Sequence, residues 1–132
     1  MNAGERNWAD LVLRAGLAFA FLYPAIDEIF DPNSWLGYFP HFVRAAAQTA
    51  HIPDMVLLHG FGTLEVIIAL WVLSGRAIVW PSLAAAAILA TIVLMDIGDL
   101  QITFRDVSIM SIAVALAIRH WPRSAAIAYD NA

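Results

Sequence analysis

Several ionisable side chains of this 132-residue chain stand where charge is costly, inside long apolar stretches. Arg14 is the single charge in residues 11–26. Glu65 and His59 share the stretch 55–73, and Arg105 and Asp106 stand side by side near the start of 100–118. An ionisable group within such a stretch is a candidate functional residue by default. A buried carboxylate can take up and release a proton, while imidazole, guanidinium and the Tyr23 phenol can donate a hydrogen bond to a ligand oxygen. Arg14, Tyr23, His59, Glu65, Arg105 and Asp106 are therefore the candidate ligand-binding residues. No catalytic residue can be named.

Depth estimates sort these residues into two groups. With a helical rise of 1.5 Å per residue, Arg14 lies about 9 Å inside a helix that starts near Trp8. Glu65 lies about 14 Å from the same face of a 30 Å core, a difference of roughly 5 Å that an arginine side chain can span. The two are expected to pair, since either alone would be expensive; the alternative is an Arg14 that snorkels to the surface. Glu65, His59, Arg105 and Asp106 are expected to form one site open toward the opposite face, joined there by Asp27, Glu28, Asp96 and Asp99. Gly60 and Gly62 leave room beside Glu65 for a helix or a ligand.

The elements that must hold these residues follow from apolar length and punctuation. A bilayer core about 30 Å thick takes about 20 helical residues to cross, and the chain offers four such stretches, at about 8–30, 54–73, 78–96 and 102–120. Asp31-Pro32-Asn33 stops the first, because proline disfavours helix in the residue before it. Asn33 or Ser34 can cap an amphipathic segment, about 34–49, whose Trp35, Tyr38 and Phe39 suit the headgroup region. Ser74-Gly75-Arg76 is a tight turn that makes spans two and three antiparallel neighbours. Pro81 falls in a first helical turn, and Gly98 can end span three. The expectation is an all-α fold: one integral membrane domain, residues 1–132, built as a four-helix bundle with a short interfacial helix between helices one and two.

Composition agrees. Hydrophobic residues make up 61% of the chain and mean hydropathy is +0.73, whereas soluble domains are roughly half apolar. The net charge of −4 and the lack of a basic run argue against nucleic acid as a partner. With no cysteine there is no thiolate nucleophile, Fe–S cluster or Cys-ligated zinc. His59 has no second histidine at its depth to complete a bis-histidine haem, no Glu-x-x-His pair marks a metal centre, and no hydrolase motif is present. No metal is expected and no cofactor is evident. With the N-terminus inside, Arg6, Arg76, Arg119 and Arg123 lie on the inner side and Arg44 on the outer. That excess places both termini in the cytoplasm and the chain, as a multi-pass protein, in the inner membrane.

The residues also resemble a known family. Leu13-Arg14-Ala15-Gly16-Leu17-Ala18-Phe19 with Phe21-Leu22-Tyr23-Pro24-Ala25-Ile26-Asp27, then Pro32 and Trp35, is similar to the first helix and loop of DoxX-family membrane proteins. Gly62-Thr63-Leu64-Glu65-Val66-Ile67-Ile68-Ala69-Leu70-Trp71-Val72-Leu73-Ser74-Gly75 resembles that family's second helix, and Phe104-Arg105-Asp106-Val107-Ser108-Ile109 the start of its fourth. Where many members have glycine and a basic residue near the end of helix one, this chain has Ala25 and Glu28. The resemblance implies a compact four-helix membrane protein associated with membrane redox complexes. Three readings stay open: an accessory or assembly subunit of such a complex, a quinone-binding redox subunit whose slot draws on Tyr23, His59, Arg14, Glu65 and Trp71, and a small proton or solute pathway protein. The bilayer and other membrane redox subunits are the expected partners, and quinone is the one cofactor these readings call for.

Overall fold

The computed structural model describes residues 2–122. The polar tail expected after Pro122, with Arg123 and the C-terminus used in the orientation argument, lies outside the described residues. Those described form an all-helical fold of α1 (Ala3–Phe30), α2 (Pro32–Leu36), α3 (His41–Thr49), α4 (Asp54–Ser74), α5 (Val79–Met95) and α6 (Leu100–Arg119). Three of these, α1, α4 and α6, are long and apolar enough to cross a membrane, and α5 is a shorter apolar helix of 17 residues.

Local chemistry explains where each element starts and stops. α1 begins earlier than the expected Trp8, because Asn2 and Glu5 exchange side-chain-to-backbone hydrogen bonds in a capping box. The expected amphipathic segment is two helices, not one. Asp31, rather than Asn33 or Ser34, caps α2, and Pro40 separates Leu36 from the start of α3. α4 ends as expected at Gly75, whose φ of 75° is the left-handed conformation that a glycine C-terminus supplies at little cost. α5 stops at Met95, short of Gly98, and the turn leads into α6, whose first free N–H groups are taken by the Asp99 side chain. Thr63, Thr91, Ser108 and Ser111 return their hydroxyls to carbonyls one turn back, so these four hydroxyls on the apolar helices are satisfied within their own helices.

The long helices pack as two intimate pairs, α1 with α4 and α5 with α6, joined by thinner contacts of α1 with α6 and α4 with α5. Neighbours run antiparallel. The start of α1 therefore meets the ends of α4 and α6, and its far end meets the start of α4 beneath α2 and α3. In the half near the N-terminus the pairs close on a core of Leu17, Phe21, Ile68, Val72, Ala85, Leu89, Ala113 and Leu116. Small residues at Ala69, Ala85 and Ala113 let the backbones approach there. Toward α2 and α3 a cavity lies between the same four helices. Outside, large apolar side chains such as Phe19, Leu70, Leu94, Phe104 and Ile118 are exposed on α1, α4, α5 and α6. That is far more apolar surface than a soluble monomer shows and is compatible with a helical bundle in a membrane.

Candidate functional site

The cavity between the two helix pairs has a volume of about 710 Å³. Its wall is mostly apolar and draws on every helix. Phe19, Tyr23 and Glu28 come from α1, Trp35 from α2, and Phe61 and Glu65 from α4. Asp96 follows α5, and Arg105 and Asp106 come from α6. Phe19, Tyr23 and Thr91 line it in mid-helix while remaining exposed, and Tyr38, Met95 and Arg105 do so toward α2, so it opens on the side of the bundle as well as toward that end.

Three carboxylates in this region are buried: Glu28 at 4%, Glu65 at 8% and Asp106 at 2% exposure. Asp106 accepts a 2.9 Å bond from Arg105 Nε through Oδ1, while Oδ2 is buried without a partner among the described residues. Glu28 lies 3.3 Å from His59 Nδ1 through Oε1. Glu65 takes part in none of the hydrogen bonds or ion pairs among the described residues. Its carboxylate meets the cavity itself.

Gly62 sets the position of Glu28. A Cβ there would fall on the Glu28 carboxylate, with Cδ at 2.7 Å and Oε2 at 3.0 Å. The gap left by glycine lets Glu28 cross from the cavity into a second pocket of about 240 Å³, which His59, Thr63 and Ala25 also line. Ala25 and Glu28 are the departures from the DoxX pattern noted in the sequence. One is buried in the helix packing and the other is a wall of both pockets.

Of the expected site residues, the structure brings Tyr23, Glu65, Arg105 and Asp106 to one cavity. His59 does not line it. It stands half-exposed on the other side of α1 and α4 and reaches the cavity through Glu28. Trp71 is further away still, near the N-terminal end, donating its indole N–H to the Arg76 carbonyl.

Arg14 corrects the expectation of an Arg14–Glu65 pair. Its guanidinium turns toward the end of α4 and donates to the Val72 carbonyl at 2.9 Å and to that of Leu73, with Asp10 at 3.6 Å. The last carbonyls of a helix lack partners and carry the negative end of its dipole, so they hold a guanidinium without a deep charge pair. This is the snorkelling alternative. Asp10 also takes Arg119 Nε at 3.1 Å and His120 Nε2 at 2.6 Å, which ties the start of α1 to the end of α6.

Glu28 and Asp96 line the cavity, although the sequence offers them only as acids joining the site and not as ligand-binding residues. The burial of Glu28 depends on Gly62 in another helix, which spacing within α1 cannot reveal. Among the described residues no cluster of His and carboxylate groups is arranged to hold a metal ion. In comparison with known proteins the chain matches no family model, and no curated protein or solved structure matches it.

Proposed function

We propose that this chain is a four-span integral membrane protein of the DoxX type that acts as an accessory subunit of a membrane redox complex and holds a quinone-type ligand. The observation that carries this reading is the cavity. A subunit whose polar residues served only to pack helices would close them on each other, as the core near the N-terminus does, whereas here about 710 Å³ stays open beside buried polar groups. Pockets for lipid-soluble ligands are largely apolar with a few placed polar groups, within a range of roughly 300–1,000 Å³. A mouth on the side of the bundle suits a ligand that arrives through the bilayer. Arg105 and the Tyr23 phenol can donate to ring oxygens, while Glu65 and Asp106 can exchange protons with them.

Aromatic placement supports the fourth span. Trp8, Trp71, Trp80 and Trp121, all exposed, gather at the end where α1 and α5 begin and α4 and α6 finish. Tyr38 and Phe42 are exposed at the other end. Two aromatic belts separated by the length of α5 fit both interfaces of a bilayer. The arginine excess supports cytoplasmic termini in the inner membrane, and hence α2–α3 along its external surface. The pathway reading fares worse, because the packed core closes the inner half of the bundle.

Purification in mild detergent followed by extraction of bound lipids tests the proposal. Wild-type protein is expected to retain a quinone and Arg105→Gln to lose it while staying folded. His59→Phe, which alters the other pocket, is expected to retain it. Wild-type protein from quinone-rich membranes that carries none would refute the reading.

A further inference from the structure

The charge of the cavity points to a second class of ligand. Four acids, Glu28, Glu65, Asp96 and Asp106, line it against a single arginine, Arg105. Arg105 is paired through its Nε with Asp106, and Glu28 has His59 on its far side. Among the described residues no cation is paired with Glu65. The charged and titratable groups around the same space are Tyr23 and Glu28 from α1, Tyr38 from the turn after α2, Asp96 from the turn after α5, and Arg105 and Asp106 from α6. His59, on α4 itself, belongs to the other pocket. The buried Asp106 Oδ2 adds a second acceptor without a partner.

A carboxyl in such a place has two affordable states: it carries a proton, or it faces a cation. The wall between the acids is aromatic, with Phe19, Tyr23, Trp35, Tyr38, Phe39 and Phe61 lining the same space. Ring faces attract cations, and more strongly where water is excluded. Acid surplus, aromatic wall and a mouth on the apolar side of the bundle together select a ligand that is positively charged and lipid-soluble.

We infer that this cavity binds hydrophobic organic cations, such as quaternary ammonium, phosphonium or protonated tertiary amines with apolar substituents, in exchange for the proton on Glu65. The exchange balances simply: the cation enters, one proton leaves the Glu65 carboxyl, and no covalent bond is made to the ligand. The inference shares its cavity with the quinone reading but needs neither a quinone nor a redox partner.

Equilibrium dialysis of the full chain in mild detergent against labelled tetraphenylphosphonium tests it. The expected result is saturable binding of one cation per chain, release of one proton in weakly buffered solution, and an affinity that rises up to tenfold per pH unit while that proton is being displaced. Glu65→Gln is expected to weaken binding at least tenfold and Glu5→Gln, at the exposed start of α1, to leave it unchanged. Should Glu65→Gln fail to fold, proton release and the pH dependence in the wild-type protein still decide the matter. Absent saturable binding, equal affinity at every pH, or equally tight binding of uncharged triphenylphosphine oxide would each overturn the inference. Quinone retention is scored separately by extraction, so a protein that keeps quinone and ignores tetraphenylphosphonium refutes this inference alone.

Discussion

Gly62→Ala and Gly60→Ala form a matched pair whose difference tests the placement of Glu28. Both glycines lie inside α4, so each alanine gains the same backbone term, about 0.8–1 kcal/mol in helix propensity. At Gly60 a Cβ meets nothing within 4 Å. At Gly62 it meets the Glu28 carboxylate at Cδ (2.7 Å) and Oε2 (3.0 Å). Forcing a methyl into a packed site costs about 1–3 kcal/mol. The lower half of that range applies, because the obstacle is the end of a flexible side chain with a pocket on either side. Gly60→Ala should therefore stabilise the protein by up to about 1 kcal/mol, and Gly62→Ala should be about 1–2 kcal/mol worse than Gly60→Ala. In a Glu28→Ala background the obstacle is gone and the two substitutions should become equal, a coupling that a double-mutant cycle isolates. Reversible unfolding in mixed micelles supplies the free energies. Equal effects of the two alanines in the wild-type background would refute the placement of Glu28 over Gly62.

Other outcomes follow from the same geometry. Arg14→Gln should cost about 2 kcal/mol, because hydrogen bonds from a charged donor to the α4 carbonyls are lost. Combined with Glu65→Gln its effect should be additive within about 0.5 kcal/mol, and a larger coupling in the unfolding series would restore the deep ion pair. Asp99→Ala should cost about 1 kcal/mol through loss of the α6 cap, measured in the same assay. Cysteines at Ala3 and Ala50 report orientation: an impermeant thiol reagent outside intact cells should label Ala50→Cys and spare Ala3→Cys, and the reverse pattern would invert the topology.

The helices were legible in the sequence because apolar length and the breakers Pro32 and Gly75 act locally. What failed was also physical. Asn2 extends α1 by a side-chain cap that apolarity does not register, and Pro40 splits a segment whose amphipathic pattern runs through it. Among the site residues, a polar interior running from a deep Glu65 to Arg105 and Asp106 near the outer end was legible, and the structure gathers these three on one cavity. Depth could not give azimuth. His59 lies at a suitable level but faces away, and Arg14 finds the α4 carbonyls instead of an acid. Rotation of one helix against another is fixed by contacts such as Gly62 with Glu28, which pair residues 34 positions apart in the chain.

The central claim, a ligand cavity between the two helix pairs that opens to the bilayer, is tested most directly by photolabelling the membrane-embedded protein with an azidoquinone and mapping the modified residues. The account predicts label on cavity residues, Tyr23, Phe61 and Ile109 among them, and its displacement by excess unlabelled quinone. Label confined to outward-facing residues such as Leu94 and Ile118, with no displacement, would contradict it.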